Sequence, residues 1–146
     1  MTEIDTSSFK FSLPPDWKIE NLSSPASLVG PKQEYVMVSA VKISGAGSVP
    51  DRAPLNKELK ENLKKAMLHA VSNPQLQTIG QLSETTTERS EDYLVLKAES
   101  TDKTSYFYQF GIVSQSSAVL VTVEGLREHM ENADVVEKAT KTIQWH

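Results

Sequence analysis

Residues 76–124 contain four extended segments, and the polar turns between them recur about every ten residues. The segments are rich in Val, Leu, Ile, Tyr and Thr, whose branched or aromatic side chains favour strands. The turns that separate them lie at 88–92, 101–105 and 115–117. Strands joined by short turns pair with their sequence neighbours, so this part of the chain is predicted to form a four-stranded antiparallel meander.

Shorter extended segments precede the meander, and strong structure breakers separate them. The predicted strands are Phe9–Leu13, which ends at Pro14-Pro15, an extended segment through Trp17 and Ile19, Ser27–Val29, which ends at Gly30-Pro31, and residues 34–43. The last of these is apolar on both faces and is predicted to be an interior strand. A flexible connection at 44–54 follows. Its glycines lack the spacing of a phosphate-binding loop, so we interpret it as a linker.

Two helices are predicted. The first begins after Pro54 and ends at Asn73-Pro74, and it has one apolar stripe at helical spacing, formed by Leu55, Leu59, Leu63, Ala66, Met67 and Ala70. The second is predicted at about 134–142, after a loose turn at 126–132, because Asp134 and Glu137 have the spacing of a capping box. The residues expected to face the sheet are Val136, Ala139, Thr140 and Ile143, with Trp145 fastening the chain behind them.

The order of these elements is typical of an α+β domain. We expect an antiparallel sheet of about six or seven strands flanked by two main helices. A chain of 146 residues is long enough to bury one well-packed core, so residues 1–146 are assigned to a single domain.

Composition excludes several classes of partner and site. The net charge is −4 and the densest basic run, at 57–65, is interleaved with glutamates, which argues against nucleic-acid binding. The chain has no cysteine, so disulfides, thiolate catalysis and cysteine-ligated zinc are excluded. No segment approaches the roughly 18 consecutive apolar residues of a membrane span, and no signal peptide is visible. We therefore expect a soluble, cytoplasmic protein.

Few residue patterns suggest catalysis or metal binding. His69, His129 and His146 lack the additional ligands of a metal site and are predicted to lie on the surface. No Gly-x-Ser-x-Gly motif is present. The acidic pair Glu91-Asp92 flanks a turn, where carboxylates are usually solvated. A catalytic pair of carboxylates, as in glycosidases, stays an open alternative, because two such residues can be distant in sequence and meet only in the folded protein. We predict no enzyme activity, no metal site and no cofactor.

The strand at 106–113 is unusual because bulky side chains alternate onto both of its faces. If helices cover both faces, all of these side chains are core. If one face is partly open, its tyrosines supply apolar area and a hydroxyl that tolerates water, as at protein interfaces. We favour the open face for the tyrosines and the core for Phe107 and Val113. The predicted partner-binding residues, expected to be partly exposed in the isolated chain, are Tyr35, Tyr93, Tyr106, Tyr108 and Phe110.

Several segments together resemble the Mog1/PsbP-like superfamily. They are FKFSLPPDW at 9–17, LVGP at 28–31, the long helix, YFYQFGIVSQSSAVLVTVEG at 106–125, and VVEKATKTIQW at 135–145. The resemblance is greatest to its bacterial DcrB-like branch, which includes small chaperones of type VI secretion effectors. Those chaperones usually end in a Ser-Phe-like pair, whereas this chain has Gln144-Trp145. The resemblance covers nearly the whole chain and implies a non-enzymatic binding domain.

The function implied is protein binding, as a small bacterial secretion-associated chaperone or adaptor that uses its aromatic sheet face. Effector chaperones of this kind cradle hydrophobic helices on a sheet, so the implied partner is an apolar helix of a secreted effector. The same aromatic face could instead form the interface of a homodimer. The alternative is a small-ligand-binding protein or enzyme, which requires a concave pocket between sheet and helix.

Overall fold

The computed structural model describes residues 1–23, 25–41 and 55–146, with every side chain in those ranges except that of Leu55. The connection predicted at 44–54 therefore lies outside the described residues. The strands are β1 (Thr2–Asp5), β2 (Phe9–Leu13), β3 (Lys18–Asn21), β4 (Ala26–Val29), β5 (Tyr35–Val41), β6 (Leu76–Thr86), β7 (Asp92–Ser100), β8 (Ser105–Val113), β9 (Ala118–Leu126) and β10 (Gln144–Trp145). The helices are α1 (Leu55–Ala70) and α2 (Ala133–Lys141), and a 3₁₀ helix (Arg127–Asn132) precedes α2.

Seven strands form one large antiparallel sheet in the order β3-β4-β5-β9-β8-β7-β6. The predicted meander is confirmed, because β6 to β9 follow one another in the sequence and lie side by side in the sheet. The interior position predicted for the strand at 34–43 is also confirmed, since β5 lies between β4 and β9. The predicted α+β class, with one antiparallel sheet and two main helices, is correct.

A second, three-stranded sheet has the order β1-β2-β10. Its centre is the predicted strand β2, which pairs with β1 on one side and with β10 on the other. Neither partner was predicted. In β1 only Ile4 is buried, which is too weak a pattern to mark a strand. The two-residue β10 forms only because the end of α2 returns the chain to Phe9 and Lys10.

Helix α1 covers one face of the large sheet, which we call the α1 face. Its buried side chains are Leu59, Leu63 and Met67, and they pack with Leu94, Leu96, Val113 and Ala118. Three members of the predicted stripe are thus buried. Ala66 is exposed and Ala70 is half-buried, because the sheet contacts a narrower stripe than the sequence indicated. In the described ranges, no helix combines the length and apolar character needed to cross a membrane.

Helix α2 covers the opposite face, which we call the α2 face. All four residues predicted to face the sheet, Val136, Ala139, Thr140 and Ile143, are buried. The predicted capping box is wrong, since the helix already begins at Ala133 and its N-cap residue Asn132 makes no side-chain capping bond. The Asn132 amide instead donates a 2.7 Å hydrogen bond to Oε2 of the buried Glu34, which ties the start of α2 to the sheet.

Because each helix covers a different face, strand β8 is buried on both sides from Tyr108 to Val113, and this explains why both of its faces carry large, mostly apolar residues there. Gly111 is the exception on the α1 face. A Cβ atom at Gly111 would lie 2.5 Å from Cδ2 of Leu63, so this position leaves room for α1 to approach the sheet closely. Glycine at this position therefore serves the packing of α1 on the sheet, within a strand and not in a turn.

Candidate functional site

The aromatic row of β8 lies on the α2 face, beneath α2. Tyr106, Tyr108 and Phe110 expose 2%, 7% and 1% of their surfaces, so the partial exposure expected from the sequence is wrong. The ring centroids of Tyr106 and Tyr108 are 5.0 Å apart, and those of Tyr108 and Phe110 are 6.5 Å apart. These rings pack as core in the isolated chain. Direct contact of these residues with a partner stays a prediction that requires α2 to move.

The five predicted contact residues do not share one surface. Tyr93 belongs to the α2 face with the β8 row, because it pairs with Ile112 across the strands, and it is also buried. Tyr35 lies on the α1 face, where it is half-buried and pairs with Glu124 of β9. Phe107, which we expected in the core, is half-buried on that same face. Val113, also expected in the core, is fully buried.

A groove runs between α2 and the outer strands of the α2 face, and we call it the α2–β6 groove. It has two sections, with volumes of ≈ 560 Å³ and ≈ 330 Å³. Tyr93 and Lys141 line the larger section, whereas Val95 and Glu137 line the smaller one. Residues two apart on a strand and four apart on a helix lie on the same side of their element, so the two sections are neighbours on the α2 face. The hydrogen bond between Tyr93 and Glu137 crosses between them.

The wall of the larger section is held by a hydrogen bond between sheet and helix. The Tyr93 hydroxyl donates to Oε2 of Glu137 at 2.6 Å, and the Lys141 ammonium lies 5.0 Å from the centre of the Tyr93 ring. Burial raises the pKa of Tyr93 above its ordinary value, and the hydrogen bond to Glu137 adds to this effect. The phenol is therefore a protonated donor at neutral pH and does not act as a base.

Two lysine ammoniums lie above aromatic rings along the groove. Lys97 is 5.0 Å from the centre of the Tyr108 ring, in the same relation that Lys141 has to Tyr93. Neither lysine forms an ion pair within residues 1–23, 25–41 and 55–146. A cation above a ring gains about 0.5–1 kcal/mol at an exposed site, which holds the two side chains against the groove wall. The groove thus offers two positive charges.

The end of the groove nearest the β6–β7 turn is fixed by a buried carboxylate. Glu91 is 5% exposed, accepts a hydrogen bond from Nε1 of Trp145, and pairs with Nε of Arg89 at 2.9 Å. Arg89 also donates to the carbonyl oxygens of Ile143 and Lys141, at 2.8 and 3.2 Å. The expectation that Glu91 is solvated is wrong, because Trp145 and Arg89 enclose it. Arg89 is fully engaged in holding the C-terminal segment.

Strand β6, on the open side of the groove, is an edge strand. Of its 11 residues only Leu76 and Leu82 are half-buried, and the rest are exposed. In the part of the chain that the structure describes, no strand pairs with its outer side, so backbone N–H and C=O groups there are unpaired. A register shift beyond Ile79, at the positive φ of Gly80, divides this edge into two runs.

The two edges of the sheet differ in how well they resist pairing with another chain. At the far edge, β3 is only four residues long and carries Lys18 and Glu20, and short charged strands discourage such pairing. In contrast, β6 is long and has Glu84 as its single charged residue. Among the described residues, β6 is therefore the edge best suited to receive an additional strand.

The histidines do not form a site. His69 and His146 are exposed, and His129 lies 3.9 and 3.8 Å from carboxylate oxygens of Glu128 and Glu131. Across the described ranges, no group of three or more His, Asp or Glu side chains is arranged to hold a metal ion.

Comparison with solved structures relates this arrangement of sheet and helices to known proteins. The crystal structure of LpqN, involved in cell envelope biogenesis of Mycobacterium tuberculosis, is similar with a TM-score of 0.61 and 16% identity, over 99% of this chain and 89% of LpqN. The solution structure of cyanobacterial PsbP (CyanoP) from Synechocystis sp. PCC 6803 is similar with a TM-score of 0.62 and 10% identity, over 97% of this chain and 89% of that protein. The chain has the Mog1/PsbP-like fold.

At these identities the Mog1/PsbP-like likeness concerns the fold alone. No protein-family profile matches the sequence, and no curated protein aligns with it significantly. The expected resemblance to this fold is confirmed, whereas assignment to its DcrB-like branch stays a prediction.

Sequence reasoning missed the groove, although two signals for it were present. Glu137 and Lys141 are four residues apart in the second helix and hence lie on one face, beside the buried face defined by Val136 and Thr140. The segment that became β6 lacks the clear apolar alternation of a strand with one buried face, which is a signal of an exposed edge.

Proposed function

We propose that this Mog1/PsbP-like domain is a non-catalytic protein-binding domain, a cytoplasmic secretion-associated chaperone or adaptor of the bacterial DcrB-like branch. The observation that carries the proposal is the open edge of β6 beside the α2–β6 groove. An extended segment of a partner can add to such an edge by backbone hydrogen bonds, which supply affinity, while side-chain pockets supply specificity.

The groove matches the needs of such a segment. Ile79 is 45% exposed, and together with the half-buried Val95 it offers apolar area on the groove side of the edge. Lys97 and Lys141 offer two positive charges along the groove. We therefore expect a partner segment that alternates apolar and polar residues and carries at least one carboxylate opposite a lysine.

This proposal changes the expected partner from a helix to a strand. An apolar helix of a secreted effector, lying on the row of Tyr106, Tyr108 and Phe110, would have to displace α2 from a packed core. Addition of a strand to β6 leaves α2 in place. Of the five predicted contact residues, Tyr93 is the one that lines the groove, where it forms a buried part of the wall against which this segment would lie.

A non-catalytic function agrees with the chemistry of the groove. Its tyrosine stays protonated, and Arg89 is engaged by Glu91 and two carbonyl oxygens. Acid–base catalysis needs a group whose pKa lies near the working pH, and burial moves the pKa of Tyr93 away from neutrality.

The test compares the same substitution on the two edges of the sheet. Ile79→Lys places a charge on β6, and the matched control Ile19→Lys places one on β3, where Ile19 is 39% exposed. A photo-crosslinking residue at Gln81, in each background, captures partners in the native host for mass spectrometry. We expect one partner to be crosslinked by the wild type and by Ile19→Lys, and at least tenfold less by Ile79→Lys.

Binding along the edge also predicts slower hydrogen exchange of β6 amides in the purified complex, with unchanged exchange in β3. A partner retained by Ile79→Lys, or protection of a different surface, would overturn the assignment of the site. The absence of any stoichiometric partner would overturn the function.

A small-ligand carrier is the second candidate, and the larger groove section favours it. Its volume of ≈ 560 Å³ lies within the range of about 300–1,000 Å³ typical of ligand pockets. Native mass spectrometry of the protein purified from its host tests this candidate. A bound small molecule that is lost from Tyr93→Ala would support it, and a mass equal to the polypeptide alone would contradict it.

A further inference from the structure

A continuous row of side chains crosses the α1 face of the large sheet near one end of its strands. In register from β3 to β6, the row consists of Lys18, Val29, Tyr35, Glu124, Phe107, Ala98 and Thr78. Glu124 therefore lies directly between Tyr35 and Phe107. Side chains opposite one another on adjacent antiparallel strands have Cβ atoms about 4.5–5.5 Å apart, so this carboxylate is flanked by an aromatic ring on each side.

Helix α1 ends before it reaches the Tyr35–Glu124–Phe107 part of this row, whereas Ala98 in the same row is fully buried. The helix lies over Gly111 at Leu63, and Nε2 of Gln109 donates a 3.0 Å hydrogen bond to the carbonyl oxygen of Met67. From Leu63 to Met67 the helix rises by about 6 Å, and from Gly111 to Gln109 the strand covers about the same distance. One further step of this size along the strand leads to Phe107. Helix α1 ends at Ala70, less than one turn after Met67. Consequently Glu124 is exposed, and its two aromatic neighbours are half-buried.

The charge of Glu124 is not balanced by a neighbour. No Lys, Arg or His of the described residues forms an ion pair with Glu124, and every other position of the row between Val29 and Thr78 is uncharged. Desolvation by its surroundings raises the pKa of the Glu124 carboxyl above its ordinary value. The exposed side chain keeps its contact with water. The row therefore presents, between two half-buried aromatic residues, a carboxylate that no cation of the described residues pairs with.

We propose that Tyr35, Glu124 and Phe107 form a docking site for an arginine side chain of a partner protein. A guanidinium group forms two parallel hydrogen bonds with a carboxylate and also stacks on aromatic faces. The row offers both kinds of contact at once, because strands lie about 4.8 Å apart, which places the Cβ atoms of Tyr35 and Phe107 about 10 Å from each other with Glu124 between them. A lysine ammonium would pair with the carboxylate without the planar stacking.

This site lies on the opposite face from the α2–β6 groove, so it goes beyond the function proposed above. A partner that adds a strand to β6 does not cover Glu124, and a partner that inserts an arginine beside Glu124 does not occupy the groove. Failure at one site therefore leaves the other proposal intact.

The experiment uses NMR titration of the ¹⁵N-labelled chain with a blocked pentapeptide, Gly-Ala-Arg-Ala-Gly, and with its citrulline twin. Citrulline has nearly the same shape as arginine but carries no charge. We expect saturable shifts of the amide signals of Tyr35, Phe107 and Glu124 with the arginine peptide, and at least tenfold weaker binding of the citrulline peptide. A third peptide, with lysine in place of the arginine, is expected to bind at least threefold more weakly than the arginine peptide.

Two substitutions complete the test. Glu124→Gln keeps the shape of the side chain and should weaken arginine binding at least tenfold, whereas Tyr35→Leu should weaken it several-fold. The control Glu20→Gln, on an exposed strand position, should leave binding unchanged. Each variant is first shown to be folded by its spectrum. The proposal is overturned if the arginine and citrulline peptides cause equal shifts, if Glu124→Gln binds as the wild type does, or if the shifts map to another surface.

Discussion

The hydroxyl of Tyr93 donates a 2.6 Å hydrogen bond to Glu137, whereas the buried hydroxyl of Tyr106 has no hydrogen-bond partner among the described residues. The two tyrosines lie on the same face of the sheet beneath the same helix. They form a matched pair in which one buried polar group is satisfied and the other is not.

The paired substitutions Tyr93→Phe and Tyr106→Phe should therefore have opposite effects on the free energy of unfolding. Tyr93→Phe removes a hydrogen bond to a charged group and should lower it by about 1.5–3 kcal/mol. Tyr106→Phe removes an unsatisfied buried hydroxyl and should leave stability unchanged or raise it by about 1 kcal/mol. Urea unfolding of the three proteins measures both values. Equal destabilisation by the two changes would show that the Tyr106 hydroxyl has a favourable contact.

Alkaline pH should destabilise the fold through its buried tyrosines. Burial raises the pKa values of Tyr93, Tyr106 and Tyr108, so their protonated forms contribute stability that is fully present below the unfolded value of about 10. That contribution is lost as pH rises above this value towards the folded values. Urea midpoints measured between about pH 8 and pH 12 should fall above about pH 10.

The alkaline loss should be smaller in Tyr93→Phe than in the wild type, because the variant has one fewer group to deprotonate. Lysines titrate in the same range, but they are common to both proteins and cancel in the difference. Parallel curves for the two proteins would show that Tyr93 does not contribute.

Tyr108→Ala distinguishes core from contact surface. Tyr108 is 7% exposed beneath α2, so its truncation should lower the free energy of unfolding by about 3 kcal/mol through lost packing and a cavity. Thermal melting and urea unfolding measure the loss. A loss below about 1 kcal/mol, together with weakened partner binding, would instead show that α2 moves away and exposes the row.

Glu91→Gln should loosen the attachment of the C-terminal segment. Glu91 is a buried carboxylate paired with Arg89 and bonded to Trp145, and the amide keeps the shape while removing the charge. Weakening the hydrogen bonds to this buried carboxylate should cost about 1.5–3 kcal/mol, whereas the exposed Arg89 guanidinium keeps its contact with water. Hydrogen exchange of residues near Trp145 should speed up more than exchange in β8. The control Glu88→Gln changes an exposed carboxylate of the same turn and should have little effect.

Glu124→Gln should stabilise the isolated chain at neutral pH and not in acid. Desolvation raises the pKa of Glu124, so the neutral form contributes stability below the unfolded value of about 4.3, and that contribution is lost as pH rises through the folded value. The gain at neutral pH should be less than about 1 kcal/mol, since water screens an exposed carboxyl. Urea unfolding at neutral and acidic pH should show the difference disappearing in acid. Destabilisation at neutral pH would indicate a hidden favourable contact.

The sequence was sufficient for features that depend on local periodicity. Turn spacing predicted the meander β6–β9, and helical spacing predicted which residues of α2 face the sheet, as the burial of Val136 and Thr140 confirms. The resemblance of scattered segments predicted the fold. These signals survive because alternation along a strand and repetition along a helix are properties of the local backbone.

Features that depend on docking of distant segments could not be predicted in the same way. The aromatic set of β8 is apolar in either interpretation, and only the position of α2 shows that Tyr108 is covered. Glu91 has the sequence context of a solvated turn residue, yet it is buried because Trp145, far away in sequence, returns to it. The aromatic neighbours of Glu124 come from β5 and β8, so their meeting depends on strand order.

The small sheet β1-β2-β10 has a kinetic consequence. His146 and Asp5, whose side chains meet at 2.7 Å, are 141 positions apart in the sequence, and β10 pairs with β2 beside them. The meander, by contrast, closes over turns of a few residues. Contacts between distant positions need closure of a long loop, which costs entropy before any contact is gained. The meander should consequently form early in folding, and the pairing of β10 with β2 should be a late event whose loss speeds unfolding more than it slows folding.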